Sequence, residues 1–306
     1  VTPRALDPTR APDPPHTLTP PRAPAPPHPL DPAQELAAFL RTRRERLDPD
    51  DFALPGRRRA RRTPGLRREE VAELAGVSTD YVVRLEQARG LRPSAQVVQA
   101  LAHALRLPPA ERAYLFNLAQ QHPGAPDKPT TTAPAPLAHL VTDLSPHPAM
   151  LMNHRYDILA WNPEMAALLP DFDTLPPPHR NALWLCLLHP PMRDFYEDRE
   201  HTLREGVAHL RAAWATHPDD QALTDLITEF ATRDEDFARL WPEQDIKVNG
   251  RGEKTLRHPE VGAITVHFEV LLPLEDPDQR LLIYRAADAE SQAALNRLTQ
   301  LSTQRP

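Results

Sequence analysis

The sequence predicts two structural classes in tandem, an all-α unit over residues 31–120 followed by an α+β unit over residues 137–306. Three observations predict this. Residues 66–90 have the spacing of two short helices joined by a tight turn. Residues 121–136, QHPGAPDKPTTTAPAP, are rich in Pro and Thr and read as a linker. Beyond them, helical stripes give way to apolar residues alternating with polar ones, the period of a strand. Charge divides at the same place: residues 31–120 hold 16 Lys+Arg against 12 Asp+Glu, whereas residues 137–306 hold 16 against 27. A basic first unit suits phosphates, and a strongly acidic second one suits sensing or protein contacts.

Residues 1–30 carry eleven prolines, no aromatic residue and little apolar periodicity, so they are expected to be disordered. Such a tail serves either as a docking ligand or as a solvated extension. Leu36, Phe39, Leu40 and Leu47 then recur at helical spacing, predicting a first helix with an arginine-rich opposite face. Residues 56–68 hold seven arginines and no acid, broken by Pro64 and Gly65, which reads as a basic loop. Arg57, Arg58, Arg59, Arg61 and Arg62 are either solvated or placed to contact phosphate or minor groove.

In the usual frame of a helix-turn-helix starting at Arg68, the interior positions are Val71, Ala75, Val77, Val82 and Leu85, all apolar. Ala72 supplies the small residue where the helices pack closest, and Gly76 the flexible residue of the turn. Ser78 is placed to cap a second helix beginning at Thr79. Two ordinary packed helices would match some of these positions. Two supporting helices follow, with apolar Val97, Val98, Leu101 and Leu105 in one and Tyr114, Leu115 and Leu118 in the other.

In a recognition helix laid in the major groove, the first turn and the face beyond it reach base edges, which selects Ser78, Thr79, Val83 and Arg84. Arg84 is the best candidate for direct readout, because a guanidinium makes two hydrogen bonds to guanine. Asp80 either accepts from a cytosine amine or favours the helix dipole. Arg67, Arg68, Tyr81 and Arg89 are assigned to phosphates, setting register without reading sequence.

The second unit opens with two short apolar stretches flanking His154 and Arg155, as in a hairpin, and Asn162-Pro163 then starts a helix. Three helical stripes follow: Leu183, Trp184, Leu187 and Leu188; Leu203, Val207, Leu210 and Trp214; Leu223, Leu226, Ile227 and Phe230. Ile264, Val266, Phe268 and Val270 alternate with polar residues, and after a turn at residues 275–279 a second strand covers residues 281–284. Hairpin, helices and a longer hairpin describe a PAS-like sensor, with helices on one face of a sheet and a small cavity between the layers.

Trp161 and Trp184 are among four tryptophans in this unit, and large aromatics serve as core or as ligand wall. Asn162, Arg180, Asn181, His258 and His267 are polar residues set in or beside apolar runs, the kind that orient a ligand, and Phe268, among the apolar residues that alternate with His267 in its strand, joins them as a ligand-binding candidate. An acyl carboxylate would pair with Arg180 or His258. The single cysteine, Cys186, lies among apolar neighbours and excludes an internal disulfide or a cysteine-rich zinc site. The sequence has no secretory leader and no apolar run of spanning length, so a cytoplasmic protein, at the nucleoid when on DNA, is expected.

The run TPGLRREEVAELAGVSTDYVVRLEQARGLRPSAQVVQALAHALRL closely resembles the xenobiotic-response-element class of bacterial helix-turn-helix regulators. DILAWN, RNALW, HPDD, LRHPEVG and QRLLIYRA resemble the MmyB-like ligand-binding domain that follows it in one subfamily. The resemblance covers about residues 33–300 and implies a five-helix DNA-binding domain, a PAS-like sensor, a homodimer, a double-stranded operator and fatty-acid-like ligands. The chain departs from the family pattern in having Val82 where an aromatic is usual and Ala88 where a glycine is usual.

A transcriptional regulator controlled by a small amphipathic or acyl ligand is therefore expected, with no cofactor. The alternative is a regulator whose acidic unit docks a partner protein and binds no ligand. No HExxH, nucleophile elbow, P-loop or dinucleotide glycine pattern points to an enzyme.

Overall fold

The computed structural model describes residues 31–52, 65–89, 92–119, 131–246 and 249–304. The proline-rich tail, most of the linker, and Arg57, Arg58, Arg59, Arg61 and Arg62 lie outside these residues. Among the described residues, the first unit is five helices: α1 (Pro32–Arg46), α2 (Arg68–Ala75), α3 (Thr79–Glu86), α4 (Ala95–Ala104) and α5 (Pro109–Leu118). Each start has a local cause. Asp31 caps α1, accepting from the Ala33 amide at 2.9 Å, and Ser94 caps α4 in the same way. Pro32 and Pro109 occupy first positions, where a missing N–H costs nothing.

Three of these helices end in one motif. The amide that follows the left-handed residue bonds back to the carbonyl five residues earlier: Val77 to Ala72, Arg89 to Arg84 and Leu107 to Ala102, each at 3.0 Å. The motif places one residue in the left-handed region: Gly76 at φ +64, Ala88 at φ +53 and Arg106 at φ +50. Only the first is a glycine. A side chain in this region is strained by about 1 kcal/mol, so Ala88→Gly is expected to raise stability by roughly 0.5–1 kcal/mol. Denaturant unfolding of the purified variant checks this; an unchanged or lower midpoint would show that Ala88 carries no strain.

The second unit begins with α6 (Ala135–Asp143), which starts inside the Pro- and Thr-rich stretch. It continues through β1 (Ala149–Met152), β2 (Ile158–Trp161), α7 (Pro163–Leu168), α8 (Ala182–Leu188), α9 (Arg199–Thr216), α10 (Gln221–Arg233) and α11 (Glu235–Leu240). It closes with β3 (Arg251–His258), β4 (Gly262–Leu271), β5 (Arg280–Ala286) and α12 (Ala289–Gln304). The strands form one antiparallel sheet in the order β2-β1-β5-β4-β3. This is the α+β class that the sequence predicts.

Strand β3 and helix α12 were not anticipated from the sequence. Strand β3 is an edge strand in which Leu256 is the one large apolar residue, so it lacks the alternation that marks a half-buried strand. In α12 the buried residues, Ser291, Ala294, Leu295 and Leu298, are few and partly small, which weakens the helical stripe.

Strand parity assigns the faces. Phe268 pairs with Tyr284 and Gly252, Val266 with Lys254, and Met152 with Arg280, so these side chains share one face with Met150 and Leu282. That face joins the main core under the helices. Ala149, Leu151, Leu281 and Ile283 point the other way, into a small second core beneath α6. The main core is continuous between the two units: α5 packs on α9, and buried residues from Leu36 to Leu298 belong to one cluster. Among the described residues no helix is long and apolar enough to cross a membrane.

Candidate functional site

Helix α3 is presented by a scaffold of buried charge. Glu86, at its C-terminal end and 1% exposed, accepts from Arg44 Nε of α1 and from Arg68 Nε of α2, each at 2.7 Å. Arg44 also donates to the Leu66 carbonyl at 2.9 Å, and Arg41 reaches the Glu86 carbonyl at 2.7 Å. Burial disfavours the Arg44 charge, but Glu86 and Glu45 more than offset this and raise its pKa. Gly65 fits where a Cβ would stand 2.5 Å from the backbone of Arg44 and Glu45, so the chain enters α2 pressed against the end of α1. The axis and roll of α3 are therefore set by two arginines converging on the Glu86 carboxylate and a third holding the backbone carbonyl of the same residue.

This setting exposes Ser78, Thr79, Asp80, Arg84, Gln87 and Arg89, while Tyr81 and Val83 are half-buried and Val82 and Leu85 face the core. Ser78 Oγ accepts from the Tyr81 amide at 3.2 Å, the cap its position suggests. Among the described residues no carboxylate pairs with Arg84 or Arg89. Arg67 lies beside Glu69 at 3.4 Å, and Arg68 is tied to Glu86. Arg84 is thus an uncommitted guanidinium on the outer face of α3, whereas Arg68 is half-exposed and already helps to hold the helix.

In the second unit, the ligand candidates separate into capping, rim and interior positions. Asn162 caps α7, bonding the Met165 and Ala149 amides and the His147 carbonyl at 2.8–3.0 Å. Asn181 caps α8 through the Leu183 and Trp184 amides and donates to Asp157 and the Arg155 carbonyl. Arg180 sits over the rings of Trp161 and Phe172, at 5.2 and 5.9 Å from their centroids, and donates Nε to the Leu175 carbonyl. Trp184 stacks on His179 with centroids 4.0 Å apart. His258 is buried and accepts the Glu260 amide at Nδ1. His267 is on the outer sheet face beside Glu253. Phe268 is on the inner face.

That inner face carries a polar cluster the sequence reading passed over. The Arg280 guanidinium lies 5.4 Å from the Tyr156 ring centre, and no carboxylate among the described residues pairs with it. Burial pulls its pKa down; Tyr156 opposes this. His209 packs edge-on against Tyr156 with centroids 4.7 Å apart and bonds the His154 carbonyl through Nε2 at 2.9 Å. Burial, then the Arg280 charge, holds its pKa well below the usual imidazole value, so it is neutral and donates this bond. Lys254 Nζ is 3.2 Å from Glu205 and above the Phe268 ring at 4.7 Å, so its charge is already matched. Burial raises the pKa of Tyr156, Tyr196, Tyr284 and, to about 12, Cys186, which keeps the thiol protonated and inert.

Tyr156, Tyr196 and Arg280 are each half-buried and keep some accessible surface, so the inner-face cluster borders open space, a chamber. A groove of about 200 Å³ between β3 and the start of α9 is lined by Tyr196, Lys254 and Thr255 together with polar residues that include Asp198, His201 and Glu253, and neither Tyr156 nor Arg280 is part of its lining. Leu281 and Leu282 are both buried, so strand alternation alone does not assign Arg280 and Tyr284 to a face; their pairing with Met152 and Phe268 does. No group of His, Cys, Asp and Glu among the described residues is arranged to hold a metal ion.

Two families match the chain. Residues 35–115 match a helix-turn-helix domain, and residues 133–298, more than half of the chain, match the MmyB-like transcription regulator ligand binding domain. No curated protein matches it.

Proposed function

Because the chain belongs to the family of the MmyB-like transcription regulator ligand binding domain, joined here to a helix-turn-helix DNA-binding domain, we propose that it is a regulator of the xenobiotic-response-element class whose hold on its operator is set by an amphipathic carboxylate bound in the second unit. It acts in the cytoplasm as a homodimer, each copy presenting one α3 to a half-site.

The observation that supports ligand control is Arg280. A half-buried guanidinium with no carboxylate beside it among the described residues is only partly compensated, and an incoming carboxylate supplies a partner with bidentate geometry. Tyr156 adds a hydroxyl beside it, and Met150, Leu282 and Phe268 provide an apolar wall on the same sheet face for an acyl tail. Arg180 and His258 remain contributors at the rim. Trp161 and Trp184 contribute aromatic walls there, Asn162 and Asn181 hold the helices that frame the site, and His267 on the outer face stays with the ligand set only as a polar neighbour of Phe268.

On the DNA side, Ser78, Thr79, Val83 and Arg84 read bases, while Arg67, Arg68, Tyr81, Arg89 and the arginines at 57, 58, 59, 61 and 62 contact phosphate. Genomic fragments captured by the purified protein supply the operator. On it, Arg84→Ala is expected to weaken specific binding about 5- to 150-fold, the loss of about 1–3 kcal/mol that a bidentate guanine contact carries, with non-specific binding much less affected. Gel shifts showing wild-type affinity and preference would remove Arg84 from the reading set. Organic extraction and mass spectrometry of the purified protein test the ligand half: an acyl carboxylate in stoichiometric amount is expected. A protein that carries no such compound and takes up no long-chain carboxylate would favour the alternative, an acidic partner-docking unit.

A further inference from the structure

Helix α9 faces both the chamber and the DNA-binding unit. On its chamber side are His209, packed on Tyr156, and Glu205, paired with Lys254. On its other side Arg211, with no exposed side-chain surface, pairs with Glu35 of α1 at 2.6 Å, donates to the Trp241 carbonyl and lies 4.2 Å over the Trp241 ring.

The segment 241–246, which precedes β3 in the chain, sits in the seam between α9 and α1. Gln244, buried and at φ +60, donates to the same Glu35 carboxylate at 2.9 Å, and its carbonyl accepts from Arg43 at 2.6 Å. Arg46 bonds the Glu243 carbonyl at 2.7 Å and pairs with Asp245 at 2.9 Å. One residue along α1 from Arg43 is Arg44, which holds Glu86 at the end of the recognition helix. Adjacent arginines on one helix therefore grip the sensor's segment and the DNA-reading element.

We infer that the segment 241–246, clamped by Arg211 on one side and by Glu35 and Arg43 on the other, relays the state of the chamber through α1 to α3. The inference rests on the ligand reading above for its purpose, though the clamp itself does not. Buried charge networks of this kind are held or broken as a whole, because each bond is strong in low dielectric and each orphaned charge is costly. A shift of α9 or of β3 by about an ångström on filling the chamber thus changes which groups on α1 are satisfied, and the effect runs equally in reverse.

Hydrogen exchange by mass spectrometry on the full chain tests the relay without ligand or operator. In Glu35→Gln and in Arg211→Met, amides of α3 and of α1 are expected to exchange at least tenfold faster, with those of β1 and α10 unchanged. Exchange that quickens in residues 241–246 but stays at the wild-type rate in α3 would overturn the relay. So would an equal rise in β1 and α10 in Glu35→Gln, the milder variant, since the seam would then be general stability only. Sodium dodecanoate serves as the probe in a second arm. It is expected to alter α3 exchange in the wild type and to leave α3 unaltered in Glu35→Gln while still protecting the chamber. Dodecanoate that binds and protects the chamber yet alters α3 equally in both proteins overturns the relay. Dodecanoate that fails to bind the wild type counts against the carboxylate reading and leaves the clamp to be decided by the first arm.

Discussion

Glu86→Ala is expected to destabilise the DNA-binding unit by about 3–5 kcal/mol, the cost of leaving a buried charge unpaired. The residue left behind is Arg44, 7% exposed, which keeps only the Leu66 carbonyl and the half-exposed Glu45. Arg68 loses its partner as well, but its side chain is 42% exposed and water replaces the bond. Arg68→Ala is therefore expected to cost about 1 kcal/mol or less. The contrast between the two variants separates a buried ionic hub from ordinary loss of contacts, and chemical denaturation followed at the helical signal measures both. Operator binding by Glu86→Ala is expected to fall even where the protein remains folded, since the C-terminal end of α3 loses its fixed attachment to α1 and α2. A loss in Glu86→Ala no larger than in Arg68→Ala would mean that the hub is not what holds the helix.

The second large effect is expected at Arg280, where two readouts should move in opposite directions. Arg280→Met removes a half-buried charge that has no acidic partner among the described residues and replaces it with a flexible apolar side chain, so the ligand-free protein is expected to be as stable as the wild type or more so. Binding of a long-chain carboxylate is expected to weaken by about 2–5 kcal/mol, roughly 30-fold or more, because the ligand's anion would enter without a counter-charge. Thermal unfolding and titration calorimetry with dodecanoate give the two numbers. An arginine with a purely structural role would show the reverse, a lower melting temperature and unaltered uptake, and that pair of results would exclude Arg280 as the anchor.

Much of this molecule is legible in its sequence where structure depends on neighbours along the chain. The helix-turn-helix follows from Ala72, Gly76 and Ser78 at fixed spacing, and Asn162 and Asn181 both stand at helix starts. Those two asparagines show the limit as well: their embedding in apolar sequence reflects a capping duty, which a linear reading does not tell apart from a ligand contact. Arg280, Lys254 and Tyr284 needed the sheet register to be seen on one face. Glu86 needed the tertiary fold, because the residues that make it a hub lie 18 and 42 positions away. The seam is less visible still. Pro- and Thr-rich residues before α6 suggest two independent bodies, yet Glu35, Gln244 and Arg211 bring together positions separated by about two hundred residues of chain.

The continuous core between the units bears on how freely this DNA-binding unit could be exchanged in evolution or engineering. A reading head joined only by a tether can be moved to another sensor by splicing the tether. Here α1 and α5 offer faces shaped to α9, the Glu35 charge is answered by Arg211 across the seam, and Arg43, paired with Glu111 of α5, also donates across it to the Gln244 carbonyl. A transplant would inherit a bare apolar surface and unmatched buried charge, so the head and its sensor have to be inherited, and altered, as a pair.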